Sequence, residues 1–110
     1  MFSCKKNTLP SEPVITLTFP SDTAVINAGD TVLIKGIISD NKNLHEVFFN
    51  LTDSANSFVF FSDNPYTHGA KSYYYSYVWI TSSANAYKFV IEAHDHDNHT
   101  SKKEFPLVVH

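Results

Sequence analysis

The sequence predicts an all-β fold, an antiparallel sandwich of about seven short strands around one core. Three observations carry this. Apolar and polar residues alternate with a period of two over several stretches, the pattern of a strand with one buried face. Nine Phe and six Tyr against a single Met, with recurrent Val, Ile and Thr, favour pleated sheet over helix. Turn-forming clusters separate these stretches at nearly even spacing, and none shows a helical period. At 110 residues the chain has room for one core and not for two.

The first strand is Val14-Ile15-Thr16-Leu17-Thr18-Phe19, which alternates apolar and hydroxyl residues until Pro20-Ser21-Asp22 breaks it. Ala24-Val25-Ile26 reads as a short edge piece before the turn Asn27-Ala28-Gly29-Asp30. Thr31 to Ser39 is the second full strand, with Val32, Ile34 and Ile38 on one face, and Asp40-Asn41-Lys42-Asn43 is a turn by composition. Leu44 begins a third, in which Val47, Phe49 and Leu51 face opposite to Glu46, Phe48 and Asn50. Ser57 to Phe61 is a short fourth, closed by Ser62-Asp63-Asn64-Pro65. Tyr66 to Lys71, with His68-Gly69, reads as a loop. Ser72 to Ile80 is a fifth strand dense in aromatics, with Tyr73, Tyr75, Tyr77 and Trp79 on one face and Tyr74 and Val78 on the other. On the sixth, Tyr87, Phe89, Ile91 and Ala93 face inward, against Lys88, Val90, Glu92 and His94. Asp95 to Lys103 is expected as a hairpin loop, and Phe105, Leu107 and Val109 define the last strand.

Hydrophobic residues make up 43% of the chain and charged ones 17%, enough apolar surface for a folded core. Eight basic side chains against eleven acidic give a net charge of -3, no surplus to neutralise a phosphate backbone, so nucleic acid is not an expected partner. No apolar run is long enough to span a bilayer. Met1-Phe2-Ser3-Cys4 resembles the end of a bacterial lipoprotein signal, with Cys4 the residue that takes the lipid. The upstream part of such a signal is missing, so the sequence is expected to begin inside a longer one. Residues 1–13 are then a signal remnant and polar tether, and 14–110 the domain. The alternative is an ordinary exposed thiol, although a single Cys has no disulfide partner in the chain.

Three stretches resemble bacterial immunoglobulin-like domains of surface and secreted proteins. They are Pro20-Ser21-Asp22 through Ala28-Gly29-Asp30-Thr31-Val32; Ile38-Ser39-Asp40-Asn41 with Leu44 and Val47; and Ala93-His94-Asp95 with Asn98 to Ser101. Asn98 stands where such domains usually carry Gly and His99 where they carry Asn; Asn tolerates the left-handed backbone that this turn needs. With Cys4-Lys5-Lys6 in front, the whole is similar to small Bacteroidetes lipoproteins of the DUF4625-like group. The resemblance implies an immunoglobulin-like sandwich.

His94-Asp95-His96-Asp97-Asn98-His99 is the feature that composition does not anticipate, with half of the six histidines in it. Neutral imidazoles and carboxylates suit zinc or copper. In a continuing strand His94 and His96 share a side, and the start of the third strand, His45 and Glu46, is expected beside the end of the sixth. The metal candidates are therefore His94, His96, His99, His45 and Glu46, with His68 if its loop reaches the same end. Asp40, Asp95 and Asp97 offer oxygens for calcium instead. The plainer alternative is a soluble loop in which Asp95 caps backbone amides. Tyr74 and Trp79 are candidates for stacking on a glycan. No nucleophile elbow, phosphate loop or HExxH helix occurs, and no enzyme activity is expected. The functional expectation is a non-catalytic, lipid-anchored module in the envelope of a Gram-negative bacterium, periplasmic or surface-exposed, binding an envelope protein or glycan. The alternatives are a zinc- or copper-binding protein and a carbohydrate-binding module.

Overall fold

The computed structural model describes residues 12–21, 23–55 and 58–110. Cys4 and nearly all of the expected tether lie outside the described residues. Among these residues seven strands form two sheets. In the first, β1 (Val14–Phe19), β2 (Thr31–Ser39) and β5 (Ser72–Ile80) pair in the order β1-β2-β5. In the second, β3 (Leu44–Asp53), β4 (Val59–Asp63), β6 (Asn85–Asp95) and β7 (Thr100–Val109) pair in the order β4-β3-β6-β7. Every pairing between strands is antiparallel. No helix among the described residues is long and apolar enough to cross a membrane.

The alternation read from the sequence becomes the two inner faces. Val32, Ile34 and Ile38 of β2 and Val47, Phe49 and Leu51 of β3 are buried, as are Tyr87, Phe89, Ile91 and Ala93 of β6. Phe49 lies at the middle, its ring 5.1 Å from that of Tyr75, 5.2 Å from Tyr77 and 6.0 Å from Phe89. Fully burying one such aromatic side chain contributes about 1.5–3 kcal/mol. The phenols at the edge of this core keep hydrogen-bond partners, as buried polar tips must. Tyr75 donates to the Thr16 carbonyl at 2.6 Å and Tyr77 to Asp63 at 2.8 Å. Tyr87, near the start of β6, donates to the Ser83 carbonyl at 2.9 Å, the tyrosine-corner arrangement that fixes the crossing from β5 to β6.

Four expectations are corrected. Ala24-Val25-Ile26 is no strand: only Ile26 bridges, in parallel, to Val109. The fourth strand runs Val59–Asp63 instead of ending at Phe61, with Ser57 outside the described residues. Its pairing with β3 holds Asp63 opposite Phe49, so a turn-forming residue becomes a strand residue. The loop expected from Asp95 to Lys103 shrinks to four residues, because β7 starts at Thr100 and pairs from His94 onward. Trp79 is only 8% exposed, its ring edge-on to Tyr87 at 4.9 Å.

Candidate functional site

One end of the sandwich is built from the β2–β3 turn, the β4–β5 connection and the β6–β7 hairpin. Backbone bonds tie the three together. His96 N–H donates to the Asn43 carbonyl at 3.0 Å, Leu44 N–H to Ala70 at 2.8 Å, Gly69 N–H to Leu44 at 2.8 Å, and Asp40 N–H to Lys71 at 2.9 Å. His45 just past the first of these segments, His68 in the second and His96 in the third lie at this end.

His45 owes its direction to a bulge. Leu44 faces Asp95 and Glu46 faces His94, so His45 is the extra residue on β3 and has no opposite number on β6. Leu44 and Val47 are both fully buried, while His45 and Glu46 stand outside. A bulge re-aims a side chain in this way. His68 occupies a tight turn closed by Ala70 N–H on the Thr67 carbonyl at 3.0 Å, with Gly69 at φ 86°. A φ near that value at the third turn position favours Gly. His96 opens the hairpin just beyond β6.

The rings of these three histidines meet. Their centroids are 5.3 Å apart for His45 and His68, 5.0 Å for His45 and His96, and 4.5 Å for His68 and His96. One nitrogen from each lies within 4.8 Å of the others, and all three side chains are exposed. Tyr66, 85% exposed, stacks on His68 at 6.2 Å. A shallow cleft of about 370 Å³ runs between His45, Glu46, Pro65, Tyr66, Thr67 and His68.

The other sequence candidates go elsewhere. The strand stops at Asp95, so His94 and His96 do not share a face. His94 lies on the outer face of the sheet, Nε2 2.8 Å from Glu92 and Nδ1 3.1 Å from Thr100, with its ring edge-on to Phe48 at 5.9 Å. His99 holds Asp95 through Nδ1 at 2.9 Å. Glu46 borders the cleft without joining the histidine group. Asp40 and Asp95 are buried side by side, but Asp95 is occupied by donors: its Oδ1 accepts the amides of Asp97 and His99, each at 2.8 Å. Asp97 is turned to Lys42 at 3.8 Å. Among the described residues the three carboxylates therefore form no common ligand group, unlike the histidines. Tyr74 is 76% exposed on the outer face of β5, whereas buried Trp79 is not offered to a glycan.

Electrostatics separate the two buried aspartates. Burial, then the charge of Asp95, pushes Asp40 above its ordinary 3.8, against a weaker opposing pull from the Lys42 amide. Burial also pushes Asp95 upward, but the hydrogen bonds from the His99 amide and ring and the Asp97 amide outweigh it and leave the group below 3.8. Asn98 has φ 66°, the left-handed conformation its position in the hairpin demands.

Two sheets in this order, a tyrosine corner and loops gathered at the ends define an immunoglobulin-like β-sandwich. Residues 13–100 match the family described as bacterial Ig domain, and the chain belongs to that family. A comparison with curated proteins finds no match. Among solved structures, the chain is similar to the fibronectin(III)-like modules of Clostridium thermocellum CbhA, at 18% identity and a TM-score of 0.56 over 93% of this chain and 48% of that one. It is also similar to an engineered protein, at 14% identity and a TM-score of 0.59 over 92% of this chain and 21% of the other. The chain thus spans about half the length of the first structure and about a fifth of the second. At such identity the likeness concerns the fold alone.

Proposed function

We propose that the chain is a non-catalytic interaction module of a bacterial cell envelope, tethered to a membrane by lipid on Cys4 and binding its partner with the end that carries His45, His68 and His96. The observation behind this reading is how that end is built. Three connections tied to one another by backbone hydrogen bonds hold an open cleft beside an 85% exposed Tyr66. Loops positioned by a rigid sheet are where sandwich domains carry recognition, and tyrosine is enriched at such surfaces.

The geometry of the tether sharpens the proposal. Val14 pairs with Ser39, so the chain enters β1 at the histidine end, while Val109 pairs with Asn85 at the other. The residues from Lys5 to Pro13 reach about 30 Å when extended. A lipid on Cys4 therefore keeps the histidine end within roughly that distance of the bilayer, and a partner is expected at the membrane surface. The likeness of Met1-Phe2-Ser3-Cys4 to a lipoprotein signal supports the anchor, and a Gram-negative envelope of the Bacteroidetes kind goes with it.

Three variants read out the two halves of the proposal. Cys4→Ser should release the chain from the membrane fraction. A photo-crosslinking residue at Tyr66 should capture a partner in cells, whereas the same residue at Val108, at the opposite end, should not. Membrane retention of Cys4→Ser contradicts the anchor, and equal capture at both ends contradicts the binding end.

A further inference from the structure

We infer that His45, His68 and His96 hold one divalent transition-metal ion of the zinc, copper or nickel class, each through one ring nitrogen, with a further coordination position left to water or to a donor from a partner. This stands independently of the interaction reading, since a metal-free tip still presents the cleft and Tyr66.

Five of the six histidines of this chain fall into two sets. Those bound into the fold have their nitrogens engaged, His94 by Glu92 and Thr100 and His99 by Asp95. The three at the tip contact one another and Tyr66 through their rings, and no hydrogen bond occupies their nitrogens among the described residues. Three neutral imidazoles without an engaged carboxylate are a donor set for borderline ions and a poor one for calcium, which takes oxygen. Metal–nitrogen bonds of about 2.0–2.1 Å require the nitrogens to approach more closely than the 4.8 Å that bounds them. Rotation of exposed side chains supplies this, because none is held in place by a hydrogen bond. The backbone is already fixed on all three sides: a bulge aims His45, a glycine turn carries His68, and the Asn43 carbonyl holds the amide of His96.

The test uses the full chain with Cys4→Ser, so that the thiol does not compete for metal. Titration with zinc sulfate, followed by calorimetry, should show one ion per chain. Thermal melting at zinc excess should shift the midpoint upward, because an ion bound only by the native state stabilises it, while calcium chloride should leave it unmoved. Cobalt(II) should give the visible absorption of a four-coordinate site. His45→Ala, His68→Ala and His96→Ala should each weaken zinc binding roughly tenfold or more, and His110→Ala, at the far end, should not. Where an alanine variant loses its β-sheet circular dichroism, the glutamine variant replaces it. No heat and no midpoint shift at millimolar zinc would overturn the assignment. So would equal loss on substituting His94 or His110.

Discussion

Asp40 and Asp95 are neighbours with the same side chain and nearly the same burial, yet their environments push them in opposite directions. Asp95 accepts three hydrogen bonds of 2.8–2.9 Å, whereas at Asp40 burial is the dominant influence. A carboxyl raised in the folded state stabilises the fold below its unfolded value of 3.8, and that contribution is lost as pH rises through the raised value. A lowered one stabilises above 3.8, and its contribution is lost as pH falls through the lowered value. Asp40→Asn should therefore unfold at higher urea than the parent at pH 7, with the gap closing below pH 3.8. Asp95→Asn should lose about 1–3 kcal/mol at pH 7, with that gap also closing in acid. A less stable Asp40→Asn at pH 7 would mean that the ionised carboxylate is engaged. The role of Asp95 was legible in the sequence through the resemblance to bacterial immunoglobulin-like domains, whose carboxylate at this position caps local amides. The burial of Asp40 was not, because composition makes it a turn residue and only packing against Asp95 encloses it.

At the scale of elements, period-two patterning located the bounds of β1, β2 and β5 and the inward faces of β3 and β6, although the pairing of β1 with β2 skips Thr18. It failed at two other slips of register. At the start of β3 the buried residues are Leu44 and Val47, three apart, and that spacing is the trace a bulge leaves in the sequence. At β4 the pairing passes from Leu51↔Phe61 to Thr52↔Val59 and skips Phe60, so strict alternation mislays the strand ends. The β1–β2–β5 sheet depends on an absent side chain. A Cβ on Gly36 would strike the Thr16 carbonyl oxygen and the phenol of Tyr75, the two partners of the 2.6 Å bond between the outer strands. Gly36→Ala should destabilise the domain by about 1–3 kcal/mol, measured by chemical denaturation, and Tyr75→Phe in the same background should restore part of the loss. An unchanged midpoint for Gly36→Ala would show that β1 does not pack on β2 in this register.

At the scale of the whole molecule, three connections converge on one end. His45, His68 and His96 are separated by long stretches of sequence, and only the two-sheet order brings the β2–β3, β4–β5 and β6–β7 connections to one end. The sequence pointed to that end, through the antiparallel pairing of the third and sixth strands, and to histidines there. It centred the site on His94 and His96, since spacing along a strand can be read and the place where a strand stops cannot. His68 depended on how an irregular loop folds, which is set by the bonds from Gly69 to Leu44 and from Leu44 to Ala70. The same topology brings the chain into β1 at the histidine end and out of β7 at the other. The most direct measurement of this arrangement is anomalous diffraction from crystals of the chain grown with zinc. One peak bounded by nitrogens of His45, His68 and His96 is the predicted result. A peak on His94 and Glu92, or three histidines standing apart at separate ends of the sandwich, would contradict it.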